Sequence, residues 1–201
     1  MSERTGDSYC FIYCGACDVR LAGETGRKTR FAAFWDEETL RRFRERQGTP
    51  VTGPEQLRLR CGGCKSDDVF VNCGACELRA CARERRVEHC IDCGDYPCAL
   101  YQGFRKAGSL LPHMAACAAN LEVIRTAGVE RWIADQAERW RCPECRAPFA
   151  WYADACGSCG RKLGDRAFRF SAVRSFLMKL GIRFLLRPAP PRSTGAGRTG
   201  G

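Results

Sequence analysis

The chain has 201 residues, enough for one domain with an appendage or for two small domains, which excludes a large multidomain enzyme. Only 50 residues are Val, Ile, Leu, Met, Phe, Trp or Tyr, so a conventional core would be thin, whereas 16 residues are Cys. The net charge is unevenly divided, because residues 1–160 carry +1 and residues 161–201 carry +9. The basicity therefore belongs to the C-terminal segment. Metal–thiolate sites would make the rest of the chain negative, which disfavours a nucleic-acid-binding protein.

The cellular compartment of the protein decides whether its cysteines are reduced or oxidised. The N-terminal segment has neither the apolar stretch nor the cleavage site of a secretory signal, and no run of about 18 apolar residues could cross a membrane. We therefore expect a cytoplasmic protein with reduced cysteines. Peripheral attachment to the inner face of the membrane is an alternative that stays open.

Twelve of the cysteines form six C-x-x-C pairs, a spacing at which a tight turn directs two thiolates at one ion. This pattern favours bound metal over disulfide bonds. The pairs are Cys14/Cys17, Cys61/Cys64, Cys73/Cys76, Cys90/Cys93, Cys142/Cys145 and Cys156/Cys159.

The first 50 residues predict a ligand cluster followed by a helix. Cys10 precedes the first C-x-x-C pair, whose glycine permits a tight turn. Asp36 is a suitable N-cap for a helix over EETLRRFRERQ, which should end at Gly48. The arginines of this helix are predicted to form a solvated face.

Residues 61–98 contain eight cysteines and an internal repeat with a period of 17 residues. CGACELRAC and CIDCGDYPC share the pattern C-x2-C-x4-C, which aligns Cys81 with Cys98. The segment ELRACARERRVE predicts a short helix, and Pro97 can start a second helix over ALYQGFRKA.

Spacing alone leaves the grouping of these ligands open. The preferred grouping gives two complete sites and leaves Cys14 and Cys17 in a third, incomplete one. The two complete sites are Cys61, Cys64, Cys73 and Cys76 for one ion, and Cys81, Cys90, Cys93 and Cys98 for another.

A helical hairpin is predicted next. A helix from Pro112 ends at Gly128, and VERWIADQAERW forms its antiparallel partner. Cys117 lies on the apolar face of the first helix and has no C-x-x-C partner, so we expect a small buried apolar residue rather than a ligand. His89 is expected to lie in a solvated loop, and His113 at the start of a helix.

The segment RCPECRAPFAWYADACGSCGRKL is the strongest motif of the chain. Ten residues separate Cys145 from Cys156. The segment PFAWY between the two pairs is predicted to form a strand that could close a tetrahedral site. This pattern predicts a zinc ribbon, because the insert is short for a rubredoxin-type iron site.

A basic amphipathic helix is predicted over residues 165–187. It could bind an anionic membrane surface through residues 168–187, bind a protein partner, or pack on the protein's own core. The apolar face consists of Val173, Phe176, Leu177, Leu180 and Phe184, and the basic stripe of Lys179, Arg183 and Arg187. Residues 188–201 are disordered by composition.

The cysteine motifs also resemble a known family. YCGAC near residue 13, CGGC at 61 and CELRACARERRVEHCIDCGDYPC at 76–98 are similar to the prokaryotic domain of unknown function 3795, over residues 8–105. A zinc ribbon with CPEC and WYADACGSCG follows as a C-terminal extension. In this chain the first cluster lacks an extra cysteine that family members often have, and Cys10 could replace it. The resemblance implies metal binding and names no reaction.

The sequence as a whole predicts a small α+β protein cross-linked by metal ions, with short helices, zinc knuckles, a helical hairpin and a zinc ribbon. The predicted domains are a cysteine-rich metal-binding domain over 8–105, the hairpin over 106–140, the ribbon over 141–164, the amphipathic helix over 165–187 and a disordered tail over 188–201.

The predicted function is that of a bacterial protein with several zinc ions, a non-enzymatic binding or adaptor module with an unidentified protein partner. The chain has no phosphate-binding loop, dinucleotide fingerprint or nucleophile elbow, and its two histidines offer little for a catalytic zinc site. The alternative is an iron–sulfur protein that uses the N-terminal cysteines for electron transfer or redox sensing.

Overall fold

The computed structural model describes residues 6–108 and 111–185, and this part of the chain is mostly helical. Its β structure consists of two isolated bridges, Arg141 with Pro148 and Ala155 with Lys162. The expected strand at PFAWY is therefore absent, and the α+β prediction was wrong in its β part. The α-helices are α1 (Asp18–Thr25), α2 (Glu37–Arg46), α3 (Val71–Gly74), α4 (Glu77–Glu84), α5 (Ala99–Gly108), α6 (Pro112–Ala115), α7 (Cys117–Ala127), α8 (Val129–Arg139) and α9 (Ala172–Leu185).

The N-terminal helices form as their sequences predict. The Asp36 side chain accepts a hydrogen bond from the Thr39 N–H at 2.9 Å and caps α2. Leu40 is the buried residue of α2 and joins an apolar cluster around Phe34, Trp35 and Phe70, where three aromatic rings pack edge to face. This cluster holds α1, α2 and α3 together.

The helices α7 and α8 form the predicted hairpin. They are joined by Gly128, whose φ of +85° is one that glycine adopts without strain. Ile124 of α7 and Trp132 of α8 pack in a second apolar cluster with Phe11 and Tyr101. The N-terminal segment, α5 and the hairpin thus share one core. The first predicted hairpin helix is divided at Ala116 into α6 and α7.

The two cysteine pairs of the predicted ribbon lie on a third apolar cluster, to which the N-terminal part of the chain also contributes. Phe31 packs against Tyr152 and Phe170 with ring centroids 4.9 and 5.3 Å apart. The backbone N–H of Trp151 donates to the carbonyl of Ala16 at 3.0 Å. Because Ala16 lies in the first C-x-x-C turn, the ribbon segment is fixed directly against the first cysteine pair.

The C-terminal helix α9 is attached by one side only. Met178 packs against two of the apolar clusters, and Lys179 pairs with Asp36 at 3.6 Å. Val173 and Phe176 remain exposed. Arg187 and the predicted disordered tail over 188–201 lie outside the described residues, as do the side chains of Arg183 and Phe184.

His113 begins its helix as predicted, and it is also buried. Its ring stacks on Trp151 with centroids 4.3 Å apart and planes at 8°, and its Nδ1 lies 2.7 Å from the Tyr152 hydroxyl. Burial lowers the pKa of His113 to about 3, so the folded protein holds a neutral imidazole where the unfolded chain binds a proton below pH 6.5.

We predict that protonation of His113 destabilises the protein in mild acid. Because the folded pKa is depressed, this contribution to stability is complete above pH 6.5 and is lost as the pH falls towards 3, by about 2 kcal/mol at pH 5. Urea unfolding of the wild type and of His113→Gln at pH 7.5 and pH 5 measures it. The variant lacks the titrating group, so it should lose about 2 kcal/mol less than the wild type over this range. Equal losses in the two proteins would refute the assignment.

Candidate metal centres

Four thiols converge at the predicted ribbon. Sγ of Cys142 lies 3.6 Å from Sγ of Cys159, and Sγ of Cys145 lies 3.6 Å from Sγ of Cys156, with all four atoms within 4.8 Å of one another. A tetrahedral ion with metal–sulfur bonds of about 2.3 Å requires sulfur–sulfur distances of about 3.8 Å. The quartet therefore has the dimensions of a tetrahedral thiolate site.

The two turns that carry this quartet have the same local geometry. In each turn the residue after the second cysteine has a positive φ, +63° at Arg146 and +77° at Gly160. Such turns direct backbone N–H groups at the first sulfur of each pair, and the Ser158 N–H donates to Sγ of Cys156 at 3.4 Å. Negative charge on sulfur is stabilised by these donors, which suits thiolate ligands.

The electrostatics of the quartet favour a bound cation. Hydrogen bonds from the N–H groups of Cys145 and Glu144 lower the pKa of Cys142 to about 6. The Arg161 N–H has the same effect on Cys159, yet the neighbouring thiols and burial together outweigh it and raise the pKa of Cys159 to about 12. The pKa of Cys156 is lowered too, because hydrogen bonds from the N–H groups of Cys159 and Ser158 oppose its burial. The site thus stabilises the thiolates of Cys142 and Cys156 and resists that of Cys159, unless a positive ion lies between them.

A second quartet lies between α4 and α5. Cys81, Cys90, Cys93 and Cys98 line one small cavity together with Leu78, Arg85 and Tyr96, and no three of their sulfur atoms lie within 4.8 Å of one another. The Arg85 guanidinium donates to Sγ of Cys93 at 3.3 Å. Burial, followed by the neighbouring thiols of Cys98 and Cys81, raises the pKa of Cys90 to about 12. These are the four cysteines that the sequence grouped for one ion, and the predicted helix in ELRACARERRVE forms over Glu77–Glu84.

The remaining C-x-x-C pairs lie in the part of the chain that precedes α4. These three pairs are Cys14/Cys17, Cys61/Cys64 and Cys73/Cys76. The backbone N–H of Cys64 donates to the thiol of Cys14. Burial, followed by the thiols of Cys17 and Cys61, raises the pKa of Cys73 well above its usual value. Within the described residues only the ribbon quartet has three or more sulfur atoms inside 4.8 Å, so neither these six thiols nor the four around Cys90 are as tightly assembled.

Cys10 and Cys117 are both buried. Burial, followed by the thiols of Cys117 and Cys64, raises the pKa of Cys10 well above its usual value. Sγ of Cys10 lies 3.5 Å from the Ser8 hydroxyl, and Sγ of Cys117 lies 3.9 Å from the carbonyl of His113. Burial raises the pKa of Cys117 to about 12. Both cysteines occupy positions of small apolar residues, as predicted for Cys117.

The structure corrects the prediction for His89. The side chain is buried instead of solvated, and its Nε2 lies 2.8 Å from a carboxylate oxygen of Asp7. Lys65 binds the same oxygen at 2.8 Å, so a buried network joins the N-terminal segment to the loops before Cys90 and after Cys64. Sequence analysis missed this network because Asp7 and His89 are separated by more than 80 residues and neither lies in a motif.

Comparison with known proteins supports the N-terminal resemblance. The profile of a family described as "Protein of unknown function (DUF3795)" matches residues 7–103. The match confirms the predicted resemblance over the cysteine-rich region, and it does not extend to the ribbon quartet. No curated protein and no solved structure matches the chain.

The described part of the chain has no helix with both the length and the apolar character needed to cross a membrane.

We predict that Cys145→Ser removes about one bound metal ion per chain, because a tetrahedral site with three thiolates loses most of its affinity. Cys117→Ala is the matched control, since it removes a buried thiol that belongs to no quartet. Elemental analysis of both purified variants measures the result. The fluorescence of Trp140 and Trp151, which pack beside Cys142 and Cys156, should change in Cys145→Ser only. Full metal content in Cys145→Ser would contradict the assignment.

Proposed function

We propose that the protein binds several zinc ions and acts as a non-enzymatic binding or adaptor module in the cytoplasm. The observation that carries this proposal is the convergence of four thiols in the segment from Cys142 to Cys159, with the sulfur–sulfur distances of a tetrahedral site. A closed site with four thiolates is typical of structural zinc, and it leaves no position for a catalytic water. The ion would stabilise the fold and perform no chemistry.

The proposal includes the N-terminal cysteines as ligands. Cys81, Cys90, Cys93 and Cys98 line one cavity, and Cys98 directly precedes the first residue of α5. The thin apolar content gives the metal an energetic role, because zinc binding in small domains contributes on the order of 10 kcal/mol of apparent folding free energy at neutral pH. Each apolar cluster of the structure contains or contacts predicted ligands.

We predict about three or four zinc ions per chain in protein purified without oxygen, and no iron. Removing zinc with a strong chelator should unfold the protein, because the thiolates then repel one another or bind protons in buried positions. Elemental analysis and far-UV circular dichroism measure the two effects. Iron together with visible absorbance would instead support the iron–sulfur alternative for the N-terminal cysteines. A melting temperature unchanged by chelation would refute the structural role of the metal.

The exposed face of α9 supports a second part of the proposal, peripheral binding to an anionic membrane. Four large apolar side chains of this helix are exposed: Val173 by 68%, Phe176 by 65%, Leu177 by 57% and Leu180 by 43%. They lie on one helical face, whereas Met178 attaches the helix to the protein from another side. A contiguous apolar face of this kind is typical of an interaction surface.

The charge around this face favours a lipid partner. Residues 166–201 contain eight Lys and Arg and neither Asp nor Glu. Arg174 adjoins the apolar face and has no acidic partner among the described residues, and Lys179 remains half exposed beside Asp36. Basic residues next to an anionic membrane contribute about 1 kcal/mol each, which adds to the burial of the apolar side chains. We therefore assign the face to an anionic lipid surface.

We predict that Phe176→Ser/Leu177→Ser/Leu180→Ser weakens binding to phosphatidylserine-containing vesicles at least about tenfold, because three apolar side chains no longer enter the interface. Val123→Ser is the matched control, since it removes an exposed apolar side chain of α7 instead. Vesicle sedimentation measures binding, and phosphatidylcholine vesicles should bind neither protein. Metal content should be unchanged in both variants. Equal binding by the triple variant and the wild type would contradict the membrane assignment, as would binding to a second copy of the chain in place of lipid.

A further inference from the structure

A cavity of about 250 Å³ is lined by the predicted ribbon segment, the hairpin and the first cysteine turn. It lies where the region that matches the family meets the C-terminal extension, and ligand pockets often form at such junctions. Pockets for drug-sized molecules measure roughly 300–1,000 Å³, so this cavity suits one ring system. Five of the described lining residues carry aromatic rings: Tyr13, His113, Trp140, Trp151 and Phe168.

His113 offers this cavity a ring nitrogen. The side chain is only 9% exposed and stacks on Trp151, and its Nδ1 is occupied by the Tyr152 hydroxyl at 2.7 Å. Its Nε2 has no partner among the described residues. Because an unpaired polar atom in a buried side chain costs free energy, a hydrogen bond between a ligand and Nε2 would be favourable.

Two amide side chains in the same lining present one acceptor and one donor. Nδ2 of Asn120 donates to the carbonyl of Phe11 at 2.7 Å, which leaves Oδ1 of Asn120 without a partner among the described residues. Oε1 of Gln136 accepts from Nε1 of Trp140 at 3.0 Å, which leaves Nε2 of Gln136 unpaired in the same part of the chain. These bonds fix the orientation of both amides. The edge of a nucleobase carries donors and acceptors that match such a pair.

Arg139 supplies positive charge at the cavity. Its guanidinium lies over the rings of Trp140 and Phe168, 5.0 and 5.9 Å from their centroids, and it has no acidic partner among the described residues. None of the described residues that line the cavity is acidic. A planar guanidinium binds phosphate through two parallel hydrogen bonds. The cavity therefore combines aromatic walls, a hydrogen-bond donor and acceptor, and a positive charge.

We propose that this cavity binds a mononucleotide, with its base against the aromatic rings and its phosphate on Arg139. Aromatic side chains bind bases by stacking. The side chains of His113, Asn120 and Gln136 offer hydrogen bonds to the edge of the base, and one guanidinium matches one phosphate group. The proposal goes beyond the zinc-binding function and does not depend on it, because none of the residues it uses is a predicted metal ligand.

Fluorescence titration of the full-length wild-type protein tests the proposal, since Trp140 and Trp151 line the cavity. The probes are AMP, GMP, CMP and UMP. At least one of them should change the emission with a Kd below about 1 mM. Its nucleoside should bind about tenfold more weakly, because it lacks the charge-assisted hydrogen bonds to Arg139. Ribose 5-phosphate, which lacks the base, should leave the emission unchanged.

The variant Arg139→Gln removes the positive charge. The mononucleotide should bind this variant about tenfold more weakly than the wild type, and no more tightly than its nucleoside, whereas nucleoside binding should not change. Arg125→Gln is the matched control, because Arg125 is an exposed residue of α7 that does not line the cavity. The control should bind every probe as the wild type does. If Arg139→Gln fails to fold, the comparison of mononucleotide and nucleoside in the wild type still decides the outcome.

The other outcomes overturn the proposal in distinguishable ways. Absence of binding by all four mononucleotides refutes the site itself. A nucleoside that binds as tightly as its mononucleotide refutes the role of Arg139, and ribose 5-phosphate that binds as tightly refutes the role of the aromatic rings. Equal losses in Arg139→Gln and Arg125→Gln place the binding elsewhere. Each of these results leaves the proposed zinc binding intact, because elemental analysis tests it separately.

Discussion

The burial of many thiols in a small protein is the constraint on which the rest of this structure depends. Burial raises the pKa values of Cys17 and Cys90 to about 12, so in the absence of a cation these groups stay protonated at neutral pH. A bound metal reverses this preference, because its charge compensates both the lost hydration of the thiolates and their mutual repulsion. In the proposed function, metal binding and folding are therefore one equilibrium, and the short helices need little apolar surface of their own.

The apolar clusters and the thiol groups are interleaved rather than separate. Cys142 and Cys156 are members of the cluster that also contains Trp140 and Phe149. Cys61 and Cys73 pack against the cluster around Trp35. Since the same side chains surround both the ligands and the aromatic rings, loss of an ion should loosen the neighbouring core. A chain with few large apolar residues can obtain cooperative folding in this way.

Two faces of helix α9 differ in their surroundings. One face attaches the helix to the protein, and the other is exposed. Met178 and Lys179 hold the helix to the protein, while Leu177, between Phe176 and Met178 in the sequence, points outward. This arrangement fixes the apolar face in the open instead of folding it onto the core. An exposed apolar face next to a segment rich in arginine is suited to binding an anionic surface. Burial of the apolar side chains and attraction of the basic side chains both contribute to such binding.

The sequence by itself determined the local features of this protein. The Asp36 cap and the hairpin at Gly128 follow from short-range rules of cap and turn, and the structure has both of them. The strand at PFAWY was predicted wrongly, because two cysteine-bearing turns closed by single bridges satisfy the backbone without a sheet.

Only the tertiary structure decided the long-range features. It joined Asp7 to His89, placed the first turn against Cys64, buried His113 between Trp151 and Tyr152, and left one face of α9 exposed. These contacts join residues far apart in the sequence, and neither periodicity nor spacing encodes which distant turns come to share a core. Ligand type is a property of each residue and its neighbours, whereas the number of thiols around one centre depends on how the whole chain packs.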